Sequence, residues 1–193
     1  MIATVPSLTE PVVPAGRIRA LLQPTLTVDD LTLRPWHPGD APAVFDAYQD
    51  AAIQQWHVRS MTDHAEAGAW IASRSTQWHE ETGADWAVFA GAVLVGRVGI
   101  KRVELWDGIG ELAYWVRPAA RGRNTAARAI TALTHWAFDV LGLHRLELLH
   151  ATDNQRSCRA AIKAGFHAEG TMRRQGLHRD GWHDMHLHAR LAD

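Results

Sequence analysis

Seven segments of the chain have the alternating or short apolar patterns that predict β-strands. They cover residues 31–36, 85–90, 92–103, 110–116, 144–150, 166–174 and 182–192. Turn residues separate the middle strands at Gly91 and at Asp107-Gly108, which indicates a meander of antiparallel strands. A turn at Asp180-Gly181 is expected to join the last two strands.

Four other segments have the periodicity of amphipathic helices, at residues 41–50, 63–81, 124–140 and 154–164. Gly142 and Gly165 are placed to end the last two helices. The order of elements predicts an α/β (α+β) domain, with helices on both faces of a mixed sheet. The segment from Gly110 to His150 is expected to form a right-handed strand–helix–strand crossover.

The first 29 residues differ from the rest because prolines break any long element. We therefore predict an N-terminal arm at residues 1–29 and one domain at residues 30–193. The chain begins without a basic segment followed by a long apolar core, so no signal peptide is expected. No window approaches the ~18 apolar residues that span a membrane, so no membrane association is expected.

The composition of the chain excludes some classes of binding partner and of binding site. The chain has 193 residues and a formal net charge of -1, which argues against a surface that coats nucleic acid. Its single cysteine, Cys158, excludes an internal disulfide framework and cysteine-rich zinc sites. A soluble protein in the reducing cytoplasm is the simplest expectation.

The segment from Arg121 to Ala126, RGRNTA, combines positive charge with backbone freedom at the start of a predicted helix. The first turn of a helix has free N–H groups that bind anions. Gly122 allows a close backbone approach, and Arg121 and Arg123 supply forked donors suited to phosphate. The segment therefore predicts a diphosphate site, with an ordinary solvated helix start as the alternative. The P-loop and dinucleotide-binding glycine patterns are both absent from the chain.

The spacing from Arg121 to Ala126 resembles the acetyl-coenzyme A signature of the GNAT N-acetyltransferases, Q/R-x-x-G-x-G/A. Asn124 replaces the family's glycine, and asparagine tolerates left-handed backbone better than most residues. The stretches GELAYWVRPAARGRNTAARAI and DNQRSCRAAIKAGFHAEG, together with LTLRPW near the start, are similar to motifs of the ribosomal-protein-alanine (RimJ/RimL-like) branch. The resemblance covers about residues 30–192.

This resemblance implies a GNAT fold, with a central mixed, mostly antiparallel twisted sheet of about seven strands. It implies acetyl-coenzyme A as co-substrate and no metal. The family pattern assigns coenzyme binding to residues Tyr114, Trp115, Val116, Arg121, Gly122, Arg123, Asn124, Thr125, Ala126 and Asn154. The strand at Tyr114–Val116 is expected to separate from its neighbour and to accept the pantetheine arm as an additional strand.

Two residues are candidates for catalysis. Glu111 lies in an apolar strand, where desolvation would raise its pKa, and it matches the family's proposed base. The alternative is a structural glutamate paired with an arginine of a neighbouring strand. Ser157 lies three residues after Asn154, on the same side of a helix, and by resemblance donates to the departing thiolate. Asn154 has the alternative role of a helix N-cap.

Other candidate residues have simpler explanations. Cys158 is expected to be a small core residue. Asp184, His186 and His188 share one face of the last strand, which makes a metal site conceivable, but a polar sheet face is the simpler explanation and no metal is expected. Trp56 and Trp86 fall where GNAT members build the acceptor pocket.

The sequence therefore predicts acetyl transfer from acetyl-coenzyme A to a primary amine by direct attack in a ternary complex. The acceptor is a protein N-terminus or a small-molecule amine, and the protein is a monomer or a homodimer. Two alternatives belong to other functional classes. One is a non-catalytic sensor of acyl-coenzyme A on the same fold, and the other is a histidine-based metal hydrolase.

Overall fold

An eight-stranded sheet runs through the structure, a computed structural model that describes residues 8–192. The strands are β1 (Leu26–Val28), β2 (Leu31–Arg34), β3 (Ala84–Ala90), β4 (Val93–Glu104), β5 (Ile109–Val116), β6 (Arg145–Ala151), β7 (His167–His178) and β8 (Gly181–Leu191). The expected arm and leader features that fall on residues 1–7, and the last residue of the expected domain, lie outside the described residues.

The spatial order of the strands is β1-β2-β3-β4-β5-β6-β8-β7, and each neighbouring pair is antiparallel except β5 and β6. The parallel pairing of β5 with β6 covers only Ile109–Glu111 opposite Arg145–Glu147. Beyond Glu111 the two strands separate. The mixed, mostly antiparallel sheet confirms the predicted fold class, with eight strands rather than about seven.

Within residues 8–192, five α-helices pack on the sheet: α1 (Ala41–Ala47), α2 (Ala51–His57), α3 (His64–His79), α4 (Thr125–His135) and α5 (Gln155–Lys163). Four of them correspond to the predicted helices, whereas α2 was missed. The predicted helix over residues 124–140 ends its α-helical part at His135 and continues as a π-helical turn at Trp136–Leu141. Gly142 then adopts a left-handed conformation, with φ of 86°, and ends it as expected.

The sheet has an apolar core on each face. Ile130 and Leu133 of α4 pack with Leu146 and Leu148 of β6 on one face. On the other face, helices α1 to α3 contribute a second cluster that includes Trp70 and closes over Trp115 of β5. Strand β5 therefore contributes to both cores, because its successive side chains point to opposite faces.

The described part of the arm packs against the domain. Ile18 is fully buried, and the Glu81 carboxylate accepts hydrogen bonds from the backbone N–H groups of Gly16 and Ile18, at 2.6 and 2.7 Å. Residues 26–28 form β1, which accounts for the eighth strand. Among the described residues, no helix is long and apolar enough to cross a membrane.

Candidate active site

Strand β5 has a free edge where it separates from β6. The N–H of Arg117 bonds to the carbonyl of Val95 in β4, at 2.9 Å. Backbone groups of successive strand residues point to opposite edges, so those of Tyr114 and Val116 point away from β4. The separation of the strands at Tyr114–Val116, predicted from the family resemblance, is present in the structure.

Two side chains form hydrogen bonds with the carbonyl groups on this free edge. His57 Nε2 lies 2.8 Å from the Tyr114 carbonyl oxygen, and Arg121 Nε donates to the Val116 carbonyl at 3.0 Å. Because a carbonyl only accepts, His57 carries its proton on Nε2. The N–H groups of Tyr114 and Val116 remain directed into the gap between the strands. A ligand with an extended amide chain can pair with those donors.

A cavity of about 700 Å³ occupies this gap, a volume within the range of small-ligand sites. Its walls come from α2, the end of β5, the turn before α4, and α5. Ten of the twelve residues proposed from the sequence line it: Tyr114, Trp115, Val116, Arg121, Gly122, Asn124, Thr125, Ala126, Asn154 and Ser157. Arg123 and Glu111 are not among the lining residues.

The turn before α4 owes its shape to two residues with left-handed backbone. Gly122 has φ of 81° and Asn124 has φ of 57°. Asparagine tolerates this conformation, so Asn124 fits where the family motif has glycine. Asn124, the residue before α4, does not cap the helix, because its side chain accepts from Lys163 Nζ at 2.7 Å instead. Among the described residues, the first N–H groups of α4 therefore have no side-chain cap, and they border the cavity.

The two arginines of the turn have different positions. Arg121 lines the cavity, but its guanidinium is ion-paired with Asp50, the residue that caps α2 through the N–H of Ile53. Arg121 therefore joins the turn to α2 and to β5, and much of its charge is already balanced. Arg123 is exposed and lies outside the cavity lining.

Helix α5 provides cations that sequence analysis missed. Arg156, Arg159 and Lys163 line the cavity and are exposed to solvent. Their spacing of three and then four residues places them on one face of α5. The same spacing is visible in the sequence after the Asn154 motif, and it is the signal that would have found them.

The Tyr114 hydroxyl shares a hydrogen bond of 2.7 Å with Ser157 Oγ. Both residues line the cavity, and Ser157 is buried. Asn154 caps α5 by accepting from the N–H of Ser157 at 3.2 Å, so its predicted alternative as an N-cap is realised. Burial raises the pKa of the Tyr114 hydroxyl to about 12, although the hydrogen bond with Ser157 opposes the shift. Tyr114 thus stays protonated at neutral pH.

Glu111 makes the contacts expected of a structural glutamate. Its carboxylate lies 2.6 Å from Lys101 Nζ and 3.1 Å from Arg102 Nη2, and the side chain is buried. It lies on the opposite face of β5 from Tyr114. These ion pairs favour the structural alternative, and the role of Glu111 as a base stays a prediction.

The two tryptophans proposed for the acceptor pocket occupy different surroundings. Trp56 of α2 lines the cavity. Trp86 is fully buried in the core under α4, where its indole N–H donates to the Pro24 carbonyl at 2.7 Å, so it cannot contact an acceptor.

Next to Trp56, burial and the positive charge of Arg97 lower the pKa of His57 to about 3, so this histidine is neutral at physiological pH.

The polar residues of the last strand divide into two environments. Asp184 accepts a hydrogen bond from the Arg174 backbone N–H at 2.8 Å and does not join its strand neighbours in a cluster. His186 and His188 instead approach His150 and Cys158. Cys158 is half-buried rather than enclosed in the core.

Comparison with known proteins identifies the family. Residues 30–167, more than half of the chain, match the family model described as an acetyltransferase (GNAT) domain. The chain belongs to the GNAT acetyltransferase family. The family resemblance inferred from the turn and from the N-x-x-S helix is confirmed, and the protein is an acyltransferase that uses acetyl-coenzyme A.

Individual relatives agree with this assignment. The chain is 26% identical over 161 residues to the uncharacterized N-acetyltransferase YoaA of Bacillus subtilis, covering 82% of this chain and 90% of the relative. It is 27% identical over 106 residues to the ribosomal-protein-serine acetyltransferase of Escherichia coli, covering 55% of this chain and 59% of the relative. The Escherichia coli relative supports the RimJ/RimL-like branch of the family.

A solved structure supports the fold. RimL, a ribosomal alpha-N-protein acetyltransferase determined in complex with coenzyme A, superposes with a TM-score of 0.81 at 21% identity. The match covers 88% of this chain and 99% of RimL. At this identity the likeness establishes the shared fold alone.

Proposed function

We propose that the protein transfers the acetyl group of acetyl-coenzyme A to a primary α-amine, with a protein N-terminus as the acceptor. Both substrates bind together, and the amine attacks the thioester directly. The observation that carries this proposal is the Tyr114–Ser157 hydroxyl pair, which faces the cavity beside the free edge of β5.

The cations that line the cavity suit the phosphates of the coenzyme. The uncapped start of α4 and the exposed cations Arg159 and Lys163 attract the phosphates at one end. The pantetheine amides then lie along β5 and pair with the N–H groups of Tyr114 and Val116. This arrangement brings the thioester sulfur toward Ser157.

The hydroxyl pair suits the departing thiolate. In a pair of hydroxyls that share one hydrogen bond, one O–H donates to the partner and the other remains free to donate outward. That second donor stabilises negative charge on sulfur as the C–S bond of the tetrahedral intermediate breaks. The proton that the thiolate finally gains balances the proton that the amine loses. RimL is named for α-amine acetylation, which supports an α-amine as the acceptor here.

The ionisable groups of the cavity favour an α-amine over a lysine side chain. No residue that lines the cavity in the described chain is an aspartate or glutamate, and His57 is too weak a base at neutral pH. An α-amine, with a pKa of about 7.7–8.0, is roughly one-tenth deprotonated at pH 7, whereas a lysine with a pKa of about 10.4 is almost fully charged. The α-amine therefore needs less help to become a nucleophile.

The test is thiol release from acetyl-coenzyme A with matched peptides. One peptide has a free α-amine and no lysine, and its partner has a blocked N-terminus and one lysine. An enzyme-only control accounts for reaction of the thiol reagent with Cys158. We expect release with the first peptide and little with the second. A preference for the lysine peptide would overturn the choice of acceptor.

The sensor alternative makes a different prediction in the same assay. A sensor would bind acetyl-coenzyme A, as measured by calorimetry, without releasing thiol for peptides, polyamines or small amines. Ser157→Ala would then change nothing that the assay measures. Family membership and the hydroxyl pair both favour the enzyme.

A further inference from the structure

Three histidines and the single cysteine meet where α5 crosses β6 and β8. The residues are His150, Cys158, His186 and His188, and one ligand atom from each lies within 4.8 Å of the others. His150 and His186 are directly opposite each other on β6 and β8. Members of the cluster lie as many as 38 residues apart in the sequence (150 to 188), so only the fold brings them together.

The ring of His150 has a nitrogen without a partner. His150 is only 4% exposed, and its Nδ1 lies 2.8 Å from the Ala151 carbonyl oxygen. The carbonyl fixes the proton on Nδ1 and leaves the Nε2 lone pair available. Nε2 is buried and has no hydrogen-bond partner among the described residues. A buried unpaired nitrogen costs free energy, unless a ligand fills its position.

His188 has the same arrangement. Its Nδ1 lies 3.4 Å from the Phe166 carbonyl oxygen, and its Nε2 lies 4.0 Å from Cys158 Sγ. A backbone carbonyl on one ring nitrogen orients the other nitrogen toward a metal, as in known metal sites.

We propose that His150, Cys158, His186 and His188 form a binding site for a divalent first-row metal ion, with Zn²⁺ as the natural occupant. Imidazole and thiolate ligands suit zinc, and four protein ligands complete its tetrahedral shell. In such a site adjacent nitrogen and sulfur ligands are about 3.6 Å apart, so the observed separations require a small inward movement. Cys158 and His186 are half-buried, which leaves the metal a route of entry.

The proposed metal has a structural role rather than a hydrolytic one. With four protein ligands, no coordination position remains for a reactive water. The ion would join the first turn of α5 to β6 and β8. Because Cys158 follows Ser157 directly, the metal would hold the hydroxyl pair of the active site in place.

The test uses the chain without an affinity tag, after removal of metal with a chelator. Titration with Co²⁺ is expected to give one ion per chain and a sulfur-to-cobalt charge-transfer band in the near ultraviolet. Addition of Zn²⁺ should abolish the band by displacement. Zn²⁺ should also raise the melting temperature, since a ligand that binds only the folded state stabilises it.

Two variants and one control make the test decisive. Cys158→Ser should lose the charge-transfer band and the stabilisation by Zn²⁺, and His188→Gln should weaken Co²⁺ binding at least tenfold. His135→Gln removes an exposed histidine far from the cluster in sequence and should behave as the parent chain does. Cys158→Ser changes a single atom, so it keeps the test valid should His188→Gln fail to fold. Binding without the band, or unchanged stabilisation of Cys158→Ser, would show that other histidines hold the metal and would overturn the proposal.

Discussion

The Tyr114 hydroxyl lies 2.7 Å from Ser157 Oγ, at the point where β5 leaves β6 and α5 begins. The family resemblance assigns these residues to separate tasks, Tyr114 to coenzyme binding and Ser157 to thiolate stabilisation. The contact makes them one unit. A strand residue that lines the coenzyme cavity also orients the hydroxyl of the helix.

A unit of two hydroxyls predicts non-additive kinetics. We expect Ser157→Ala and Tyr114→Phe each to lower kcat by about 10²-fold, the lower end of general acid–base effects. The double variant should be little worse than either single one, because groups that act together are lost together. Coenzyme affinity, measured by calorimetry, should change little. Additive losses would show that the two hydroxyls act separately, and a loss of affinity alone would assign Ser157 to positioning.

The cations of α5 predict the salt dependence of coenzyme binding. Arg159→Gln and Lys163→Gln should each weaken acetyl-coenzyme A binding about tenfold at low salt, since a charged hydrogen bond contributes about 1.5 kcal/mol. The effect should shrink as salt screens these exposed groups. Arg173→Gln, an exposed residue of β7 outside the cavity lining, is the control. Equal effects of all three variants would mean that coenzyme affinity depends only on the net charge of the protein.

The turn arginines should differ from each other. Arg121→Ala removes the partner of Asp50 and the donor to the Val116 carbonyl. We therefore expect a lower melting temperature together with weaker coenzyme binding. Arg123→Ala should leave stability unchanged and weaken binding only at low salt, because this side chain is exposed and outside the cavity lining. Calorimetry and thermal melting of both variants would separate the two roles.

The sequence predicted the sheet and four helices because their periodicities are local properties. It missed α2, a seven-residue helix whose capping by Asp50 is its clearest signal, and so it missed His57. Asn124 was correctly expected to tolerate left-handed backbone, with φ of 57°. Contacts between segments that are far apart in the chain could not be predicted from the sequence. The pairing of Arg121 with Asp50 and the approach of Cys158 to His188 depend on how elements meet.

The surroundings of Glu111 differ from those expected of the catalytic base that its sequence motif predicts. Its carboxylate lies within 3.1 Å of two cations and outside the cavity lining. We expect Glu111→Gln to lower the melting temperature and to leave turnover at neutral pH nearly unchanged, when normalised to folded protein. A catalytic base predicts the opposite: a stable variant whose rate falls by roughly 10²–10⁴ at neutral pH. That defect would shrink as pH rises and the acceptor amine loses its proton in water. The pH profile of kcat/KM therefore decides between the two roles.

His57 predicts how stability depends on pH. Burial, Arg97, Lys101 and Arg59 lower its pKa from 6.5 to about 3, while the Tyr114 carbonyl opposes the shift. Below pH 6.5 the unfolded chain binds a proton on this residue and the folded chain does not. Stability should therefore be intact above pH 6.5 and should decline as pH falls from 6.5 toward about 3.

His57→Gln isolates this contribution, because a glutamine amide can still donate to the Tyr114 carbonyl but does not titrate in this range. Denaturant melts between pH 7 and pH 4 should show a shallower decline for His57→Gln than for the parent chain. His135→Gln, at an exposed position, should leave the decline close to that of the parent. His150 and His188, whose pKa values are also lowered, keep part of the slope in all three proteins. A parallel decline for His57→Gln and the parent would mean that His57 gains its proton in the folded state as easily as in water.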